Sequence, residues 1–126
     1  MIDRWIENAV TEFGTTLGIA DLTFNSNGNV QLQFETSGEL TIEPADDHVR
    51  VFLVRQHSFI KHSQLEHALH LCHWQHGTPF TTQAGLLRDD RLMFVVGIAN
   101  TEFVTAALQR VFEYLCGLHE SVAATP

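Results

Sequence analysis

The first apolar positions of the chain recur three and four residues apart, as they do along one face of an α-helix. These positions are Ile2, Trp5, Ile6, Ala9, Val10, Phe13 and Leu17. Gly18 comes next, where a left-handed residue commonly ends a helix. The pattern predicts a first helix that ends near Leu17.

The period then changes to two, which is typical of strands with one buried face. Leu22 and Phe24 lead into the turn-like sequence SNGN. After it come the alternating apolar residues Val30, Leu32, Phe34, Leu40 and Ile42, with a turn at Ser37 and Gly38. Residues 49–55, VRVFLVR, follow a break at residues 44–47 and are more continuously apolar. This region therefore predicts several short strands.

Helical spacing returns in residues 62–76, HSQLEHALHLCHWQH, and should end at Gly77, with Pro79 two residues beyond. The predicted apolar face comprises Leu65, Ala68, Leu69 and Cys72. TTQAGLL and LMFVVGIA then flank the charged turn RDDR and predict a hairpin. A last helix should start near Asn100 or Thr101 and bury Val104, Ala107, Leu108, Val111, Leu115 and Leu118.

The predicted order is helix, strands, helix, two strands, helix, with strand connections short enough for antiparallel pairing. This order predicts a compact α+β domain over residues 1–120, followed by a flexible tail at 121–126. Residues 51–54 and 92–96 are apolar at successive positions, so both faces of the sheet are expected to be covered. Either the three helices or another polypeptide could cover them.

The net charge and the number of cysteines argue against some classes of function. The 126 residues include 7 Lys and Arg against 15 Asp and Glu, a formal charge of −8, which disfavours binding to a nucleic-acid backbone. The two cysteines fit a reducing compartment better than a disulfide scaffold. Charged residues interrupt the N-terminal segment, and no apolar run is long enough for a membrane span. We therefore expect no signal peptide and no membrane insertion.

The second predicted helix raises the question of a metal site. His67, His70, His73 and His76 are each three residues apart, so successive side chains are displaced by about 60° around the helix. The four side chains cannot meet at one ion, and the tract lacks the His-Glu-x-x-His order of zinc hydrolases. Pairs such as His62 with Glu66 could share a weak site. We interpret the histidines as the polar side of an amphipathic helix, with no metal bound.

Leu71 and Trp74 give this helix a second apolar edge that its core face does not explain. Another helix of the same chain could cover this edge, or it could form a subunit interface.

Other candidate chemistry is weak. The sequence has no nucleophile elbow, no glycine-rich phosphate loop and no CxxC motif. Cys72 and His73 are adjacent and so point about 100° apart on a helix, which favours a buried cysteine over a catalytic dyad. Asp46, Asp47 and His48 could bind a cation, although turn chemistry alone accounts for them.

The segment FGTTLGIADLTFNSNGNVQLQFETSGELTIE resembles the opening of the class I type III secretion chaperones, the CesT/SycE-like family. The element order is similar as well. WIENAVTEFGTTLG, VRVFLVRQHSFIKHSQLEHAL, QAGLLRDDRLMFVVGI and ALQRVFEYLCGLHESV resemble the SycN type, which serves a YopN-like gatekeeper protein. The resemblance covers residues 5–122.

The resemblance implies a twisted antiparallel sheet and a non-enzymatic dimer without cofactors, located in the cytoplasm or peripherally at the secretion apparatus of the inner membrane. It implies a client, the N-terminal region of a secreted protein, bound near Trp5, Ile6, Phe24, Leu32 and Phe34, some of which could instead be core. It places a dimer interface at Leu71, Trp74, Ala84, Leu86 and Leu87. The dimer could be a homodimer or a heterodimer with a YscB-type chaperone. The alternative function is a small metal-binding protein or enzyme.

Overall fold

The computed structural model describes residues 2–73 and 80–126. The helices are α1 (Arg4–Thr16), α2 (His62–Leu71) and α3 (Thr105–Ala123). The strands are β1 (Val30–Phe34), β2 (Gly38–Pro44), β3 (His48–Gln56), β4 (Thr82–Leu87) and β5 (Arg91–Ala99). The predicted α+β class and element order are confirmed.

The five strands form one antiparallel sheet in the order β1-β2-β3-β5-β4. The long strands β3 and β5 pair at the centre, from His48 opposite Ala99 to Gln56 opposite Arg91. The predicted hairpin of β4 and β5 is confirmed, with Leu87 opposite Arg91 next to its turn. The two edges of the sheet are therefore β1 and β4.

The core lies between one face of the sheet and the helices. Every second residue of β3 and β5 points into it: Val49, Val51, Leu53, Leu92, Phe94, Val96 and Ile98 are buried. Helix α3 packs on these two strands, and α1 and α2 pack on α3. The first helix has its predicted apolar face, with Val10 and Phe13 fully buried, and Gly18 follows it with a φ of 81°.

The opposite face of the sheet is not covered by any helix in the described part of the chain. Phe52 and Val54 of β3 and Met93 and Val95 of β5 lie at its centre and are half-buried. Of the two predicted alternatives, cover by the chain's own helices is not found within residues 2–73 and 80–126, and cover by another polypeptide stays a prediction. The reason is geometric: α2 packs against α3 and β4, and so joins α1 and α3 on the core side.

The boundaries of α2 and α3 also differ from those predicted. Helix α2 ends at Leu71 with Cys72 as its C-cap, short of Gly77. Asn100–Glu102 forms a 3-10 turn, and α3 begins only at Thr105 with Val104 at its N-cap. Asn100 instead links the end of β5 to the turn before β3, because its backbone N–H donates to the carbonyl oxygen of Asp47.

Helix α3 continues into the segment that was expected to form a tail. Residues 121–123 belong to its last turn, and Val122 is in the core. Of the helices that the structure describes, none has the length and apolar character needed to cross a membrane.

Candidate functional site

Three of the residues that were predicted to contact a client lie in or before the edge strand β1. Leu32 and Phe34 point to the helix side of the sheet and Phe24 precedes the strand; all three pack against the core while remaining half-buried. The Phe34 ring lies 5.2 Å from the ring of Phe112 on α3, measured between centroids. Among the strands that the structure describes, β1 pairs only with β2, so these side chains border a strand edge whose backbone groups can pair with a further strand.

The other two predicted client residues are separated from each other. Ile6 is 3% exposed and belongs to the core, so it contributes nothing to a surface. Trp5 is 50% exposed, and its Nε1–H donates to the carbonyl oxygen of Asn100 at 3.2 Å. It lines a shallow groove between α1 and the start of α3, where Val104 is also exposed. The residues predicted as one client surface thus occupy two places.

The opposite edge of the molecule has an apolar groove between α2 and β4. Leu65, Ala68 and Leu69 line it from α2, and Ala84 and Leu86 line it from β4. Its volume is about 200 Å³. Leu69 and Leu86 are 66% and 49% exposed, so the groove opens to solvent. Large apolar side chains that stay exposed beside an apolar groove are typical of an interaction surface.

The residues predicted for the dimer interface lie on this side of the molecule, to the extent that the structure describes them. Leu86 and Leu87 are exposed. Leu71 and Ala84 are half-buried and pack against the core. Trp74 falls outside the described residues. Leu69, which was predicted to be core, is exposed instead, because α2 turns Ala68, Leu71 and Cys72 toward the core.

A pair of histidines in the core was not predicted as a structural feature. His57 follows β3 and His119 lies on α3; the His57 Nε2 is 2.9 Å from the His119 Nδ1, and the rings are stacked. The His119 Nε2 is 2.9 Å from the Leu53 carbonyl oxygen. A carbonyl oxygen only accepts, so His119 carries its proton on Nε2 and its Nδ1 accepts from His57.

Burial disfavours the charged form of both imidazoles. Burial is the main cause that lowers the pKa of His119 to about 4, and the nearby Arg55 and His57 lower it further. Burial and Arg55 also lower the pKa of His57. The only sequence signal was the helical spacing of His119 with Leu115 and Leu118, which places it on the buried side of α3.

The histidines of α2 have separate contacts. His62 Nε2 lies 2.9 Å from Glu66 Oε1, the predicted pair, and both side chains are exposed. His67 Nε2 lies 2.8 Å from the Ser121 hydroxyl of α3, so it joins two helices rather than facing solvent. Within residues 2–73 and 80–126, no three His, Cys, Asp or Glu side chains form a group that could hold a metal ion. His76 lies outside these residues.

The remaining candidate groups have local partners. His48 Nδ1 lies 2.7 Å from Asp47 Oδ1 in the turn before β3, and this contact with His48 lowers the pKa of Asp47. Cys72 and Cys116 are free thiols, both half-buried. Burial raises the pKa of each thiol, which disfavours the reactive thiolate.

The fold is similar to that of solved chaperone complexes. The structure of the Yersinia pestis type III secretion chaperone SycH with a fragment of YscM2 gives a TM-score of 0.70 at 17% identity, covering 96% of this chain and 99% of that chain. The ExsC-ExsE complex gives 0.77 at 11% identity, covering 99% and 98%. The HopA1-SchA chaperone-effector complex gives 0.68 at 15% identity, covering 95% and 99%. At these identities the similarity shows a shared fold.

Family membership rests on the sequence itself. No curated protein matches the chain. The model of the type III secretory system chaperone SycN family matches residues 5–123, which include all five strands and nearly all of the three helices. The chain therefore belongs to the SycN family of type III secretion chaperones.

Proposed function

We propose that this chaperone binds the N-terminal region of a secreted protein, a YopN-like gatekeeper, and keeps it competent for secretion. Membership of the SycN family and the resemblance of the sequence to chaperones of such gatekeepers support this client. The client would be bound in the cytoplasm, before or beside the secretion apparatus at the inner membrane. Binding draws its free energy from burial of apolar surface and needs no nucleotide.

The observation that carries the proposal is the free edge at β1, bordered by half-buried apolar side chains. An extended client segment would add a sixth strand there by main-chain hydrogen bonds. Its alternate side chains would pack against Phe24, Leu32 and Phe34 on the helix side of the sheet. Trp5, in its separate groove, would contact a later part of a client that wraps around the molecule.

The first prediction tests this edge with a matched pair of substitutions in β1. Leu32→Asp places a carboxylate on the side of the strand that packs against the helices, and Gln33→Asp places one on the opposite, exposed side of the same strand. We expect Leu32→Asp to weaken client binding at least tenfold, since an unpaired charge would be desolvated there. Gln33→Asp should have little effect.

Isothermal titration calorimetry with the N-terminal segment of a gatekeeper encoded beside this protein provides the measurement. Binding of the unmodified chaperone should show the large negative heat-capacity change of coupled folding and binding. Circular dichroism must show that both variants remain folded. Equal client affinity of the two folded variants would contradict the β1 edge, and no binding to any such segment would contradict the proposed client.

We further propose that the α2–β4 edge pairs with a second chaperone subunit. The exposed Leu69, Leu86 and Leu87 and the apolar groove beside them support an interface there. The partner would be a second copy of this chain or a YscB-type chaperone. With the client on β1 and the subunit contact on β4, opposite edges of one sheet would serve the two interactions.

A further inference from the structure

The net negative charge of the chain comes from one continuous segment. Residues 5–49 contain eight Asp and Glu side chains and no Lys or Arg, whereas the rest of the chain contains seven acidic and seven basic side chains. The formal charge of −8 therefore arises from the segment that forms nearly all of α1 and the whole of β1 and β2. These two strands are the outer pair on one side of the sheet. The proposed client edge thus belongs to the acidic part of the molecule.

Two of these carboxylates lie beside β1, near the end of the sheet. Glu35 directly follows β1 and is exposed, and Glu39 of β2 lies opposite Gln33 of β1. Both line a hollow of about 340 Å³. Arg55 and Arg91 line the same hollow, but neither carboxylate forms an ion pair within the described part of the chain. Both carboxylates therefore remain available to a cationic side chain of a partner.

A third carboxylate lies at the second place proposed for the client. Glu12 of α1 lines the groove that contains Trp5, and its Oε2 accepts from the Thr105 hydroxyl at 2.8 Å. Among the described residues that line this groove, none is a Lys or Arg. Acidic groups thus accompany exposed or half-buried apolar side chains at both places.

The two sides of a strand added to β1 would meet different surfaces, because successive side chains of a strand point to opposite faces of a sheet. Side chains on the helix side would lie beside Leu32 and Phe34. Those on the other side would lie beside Gln33 and Glu35. Glu39 is two strand spacings away, roughly 10 Å, which is within reach of the long side chain of a Lys or Arg. A carboxylate at the same position of the added strand would be repelled.

We infer that the client segment bound at the β1 edge is basic: an extended strand in which apolar residues alternate with Lys or Arg, the cationic side chains facing Glu35 and Glu39. The apolar side chains supply affinity through burial. The charges discriminate between segments and accelerate association. The inference rests on the client edge proposed above and names the chemistry of the segment that this edge takes.

The test measures binding of synthetic peptides to the full chain by fluorescence anisotropy. The peptides have about ten residues, the upper length of common strands, and alternate valine with lysine, glutamine or glutamate. The valine–lysine peptide should bind roughly tenfold more tightly than the valine–glutamate peptide, with valine–glutamine between them. Raising the salt concentration from about 0.01 M to about 1 M shortens the Debye length roughly tenfold and should remove most of this difference.

A serine–lysine peptide of the same length controls for unspecific attraction to an acidic protein. It has the same charge without the apolar side chains, so it should bind much more weakly than the valine–lysine peptide.

A pair of double variants locates the preference on the molecule. Glu35→Gln/Glu39→Gln should lower the preference for lysine over glutamate roughly threefold or more, while the affinity for the valine–glutamine peptide stays unchanged. Glu66→Gln/Asp89→Asn is the matched control, because it removes the same charge from exposed side chains of α2 and of the turn between β4 and β5. The control should keep the preference of the unmodified protein. Circular dichroism shows whether both double variants are folded.

The inference is overturned by equal affinity for the lysine and glutamate peptides, by an equal loss of preference in the two folded double variants, or by a serine–lysine peptide that binds as tightly as valine–lysine. Absence of binding by every peptide also overturns it. If the gatekeeper segment nevertheless binds at the β1 edge, the proposed function stands and only the inference falls. If the peptides behave as expected and no gatekeeper segment binds, the inference stands and the proposed client falls.

Discussion

At the scale of single residues, the core contains a hydrogen bond between two histidines, and the groups around it restrict which ring nitrogens carry a proton. His57 and His119 bridge the end of β3 and α3, and the Leu53 carbonyl oxygen fixes the tautomer of His119. The edge of the His119 ring also packs against Phe94 of β5. A charged imidazole at this place would face Arg55 and a second imidazole, and no carboxylate in the described part of the chain is its direct partner. The surroundings of the pair therefore favour the neutral form of both rings.

The burial of His119 predicts that the folded chain becomes less stable in acid. The pKa of His119 is about 4 in the folded chain against an ordinary value of 6.5, so between these values the unfolded chain binds more protons. Stability from this group is fully present above pH 6.5 and is lost as the pH falls toward 4. The loss is on the order of 3 kcal/mol. Urea unfolding at a series of pH values measures it.

His119→Gln provides the control for this prediction. A glutamine amide can still donate to the Leu53 carbonyl oxygen, but it does not titrate. The variant should be less stable at neutral pH, and its free energy of unfolding should fall less steeply between pH 6.5 and 4. A slope equal to that of the unmodified protein would show that other groups cause the acid sensitivity.

At the scale of elements, the start of α3 lacks a capping side chain. Val104 occupies the N-cap with an extended backbone and no side-chain hydrogen bond. The better capping residues, Asn100 and Thr101, fall in the preceding 3-10 turn. The Asn100 side chain does not cap α3, because its amide donates to the Asp46 carbonyl oxygen. The hydrogen bond between the loops of Asn100 and Asp46 is therefore formed, and a residue with a poor capping preference is left at the N-cap of α3.

Val104→Ser should therefore stabilise the protein. A serine hydroxyl would accept from a free N–H in the first turn of α3, and the half-exposed valine gives up little packing. The expected gain in the free energy of unfolding is about 1 kcal/mol. Thermal and urea unfolding provide the measurement, with Val104→Ala as a control that removes the valine without adding a cap. Equal stability of the serine and alanine variants would argue against this account of α3.

At the scale of the whole molecule, all three helices lie on one face of the sheet, and the described chain leaves the other face and both edges open. This layout leaves one sheet face and two strand edges of the described chain available for contacts with other polypeptides. That layout suits a protein whose task is to hold other polypeptides. It also concentrates stability in the single core between sheet and helices.

Within residues 2–73 and 80–126 no three His, Cys, Asp or Glu side chains form a group that could hold a metal ion, so stability should not depend on metal. The histidines of α2 have separate partners, Glu66 for His62 and Ser121 for His67. Untagged protein treated with a chelator should keep its Tm, and elemental analysis should find less than one zinc ion per chain. A chelator-induced fall in Tm together with stoichiometric zinc would contradict this prediction.

Much of the fold follows from the sequence because burial periodicity is a local property. The alternation in β1 and β2, the apolar runs of β3 and β5 and the apolar face of α1 each predict an element without reference to the rest of the chain. The same alternation identified which side chains of β1 face the core. Element order and short connections then restrict the topology to an antiparallel sheet with helices.

Other features were decided only by the tertiary structure. An apolar side chain is buried only if another element packs against the face of the helix or strand on which it lies. The spacing of Leu65, Ala68 and Leu69 indicates a helix but does not show which of the three side chains is covered. Ile6 is therefore buried although Trp5 beside it is exposed, and Leu69 is exposed although Ala68 is buried. The contact between His57 and His119 joins residues 62 positions apart, and no local pattern encodes such a pair. Phe59 likewise has a left-handed backbone, with a φ of 58°, and its N–H donates to the carboxylate of Asp90, a residue that only the folded sheet brings close.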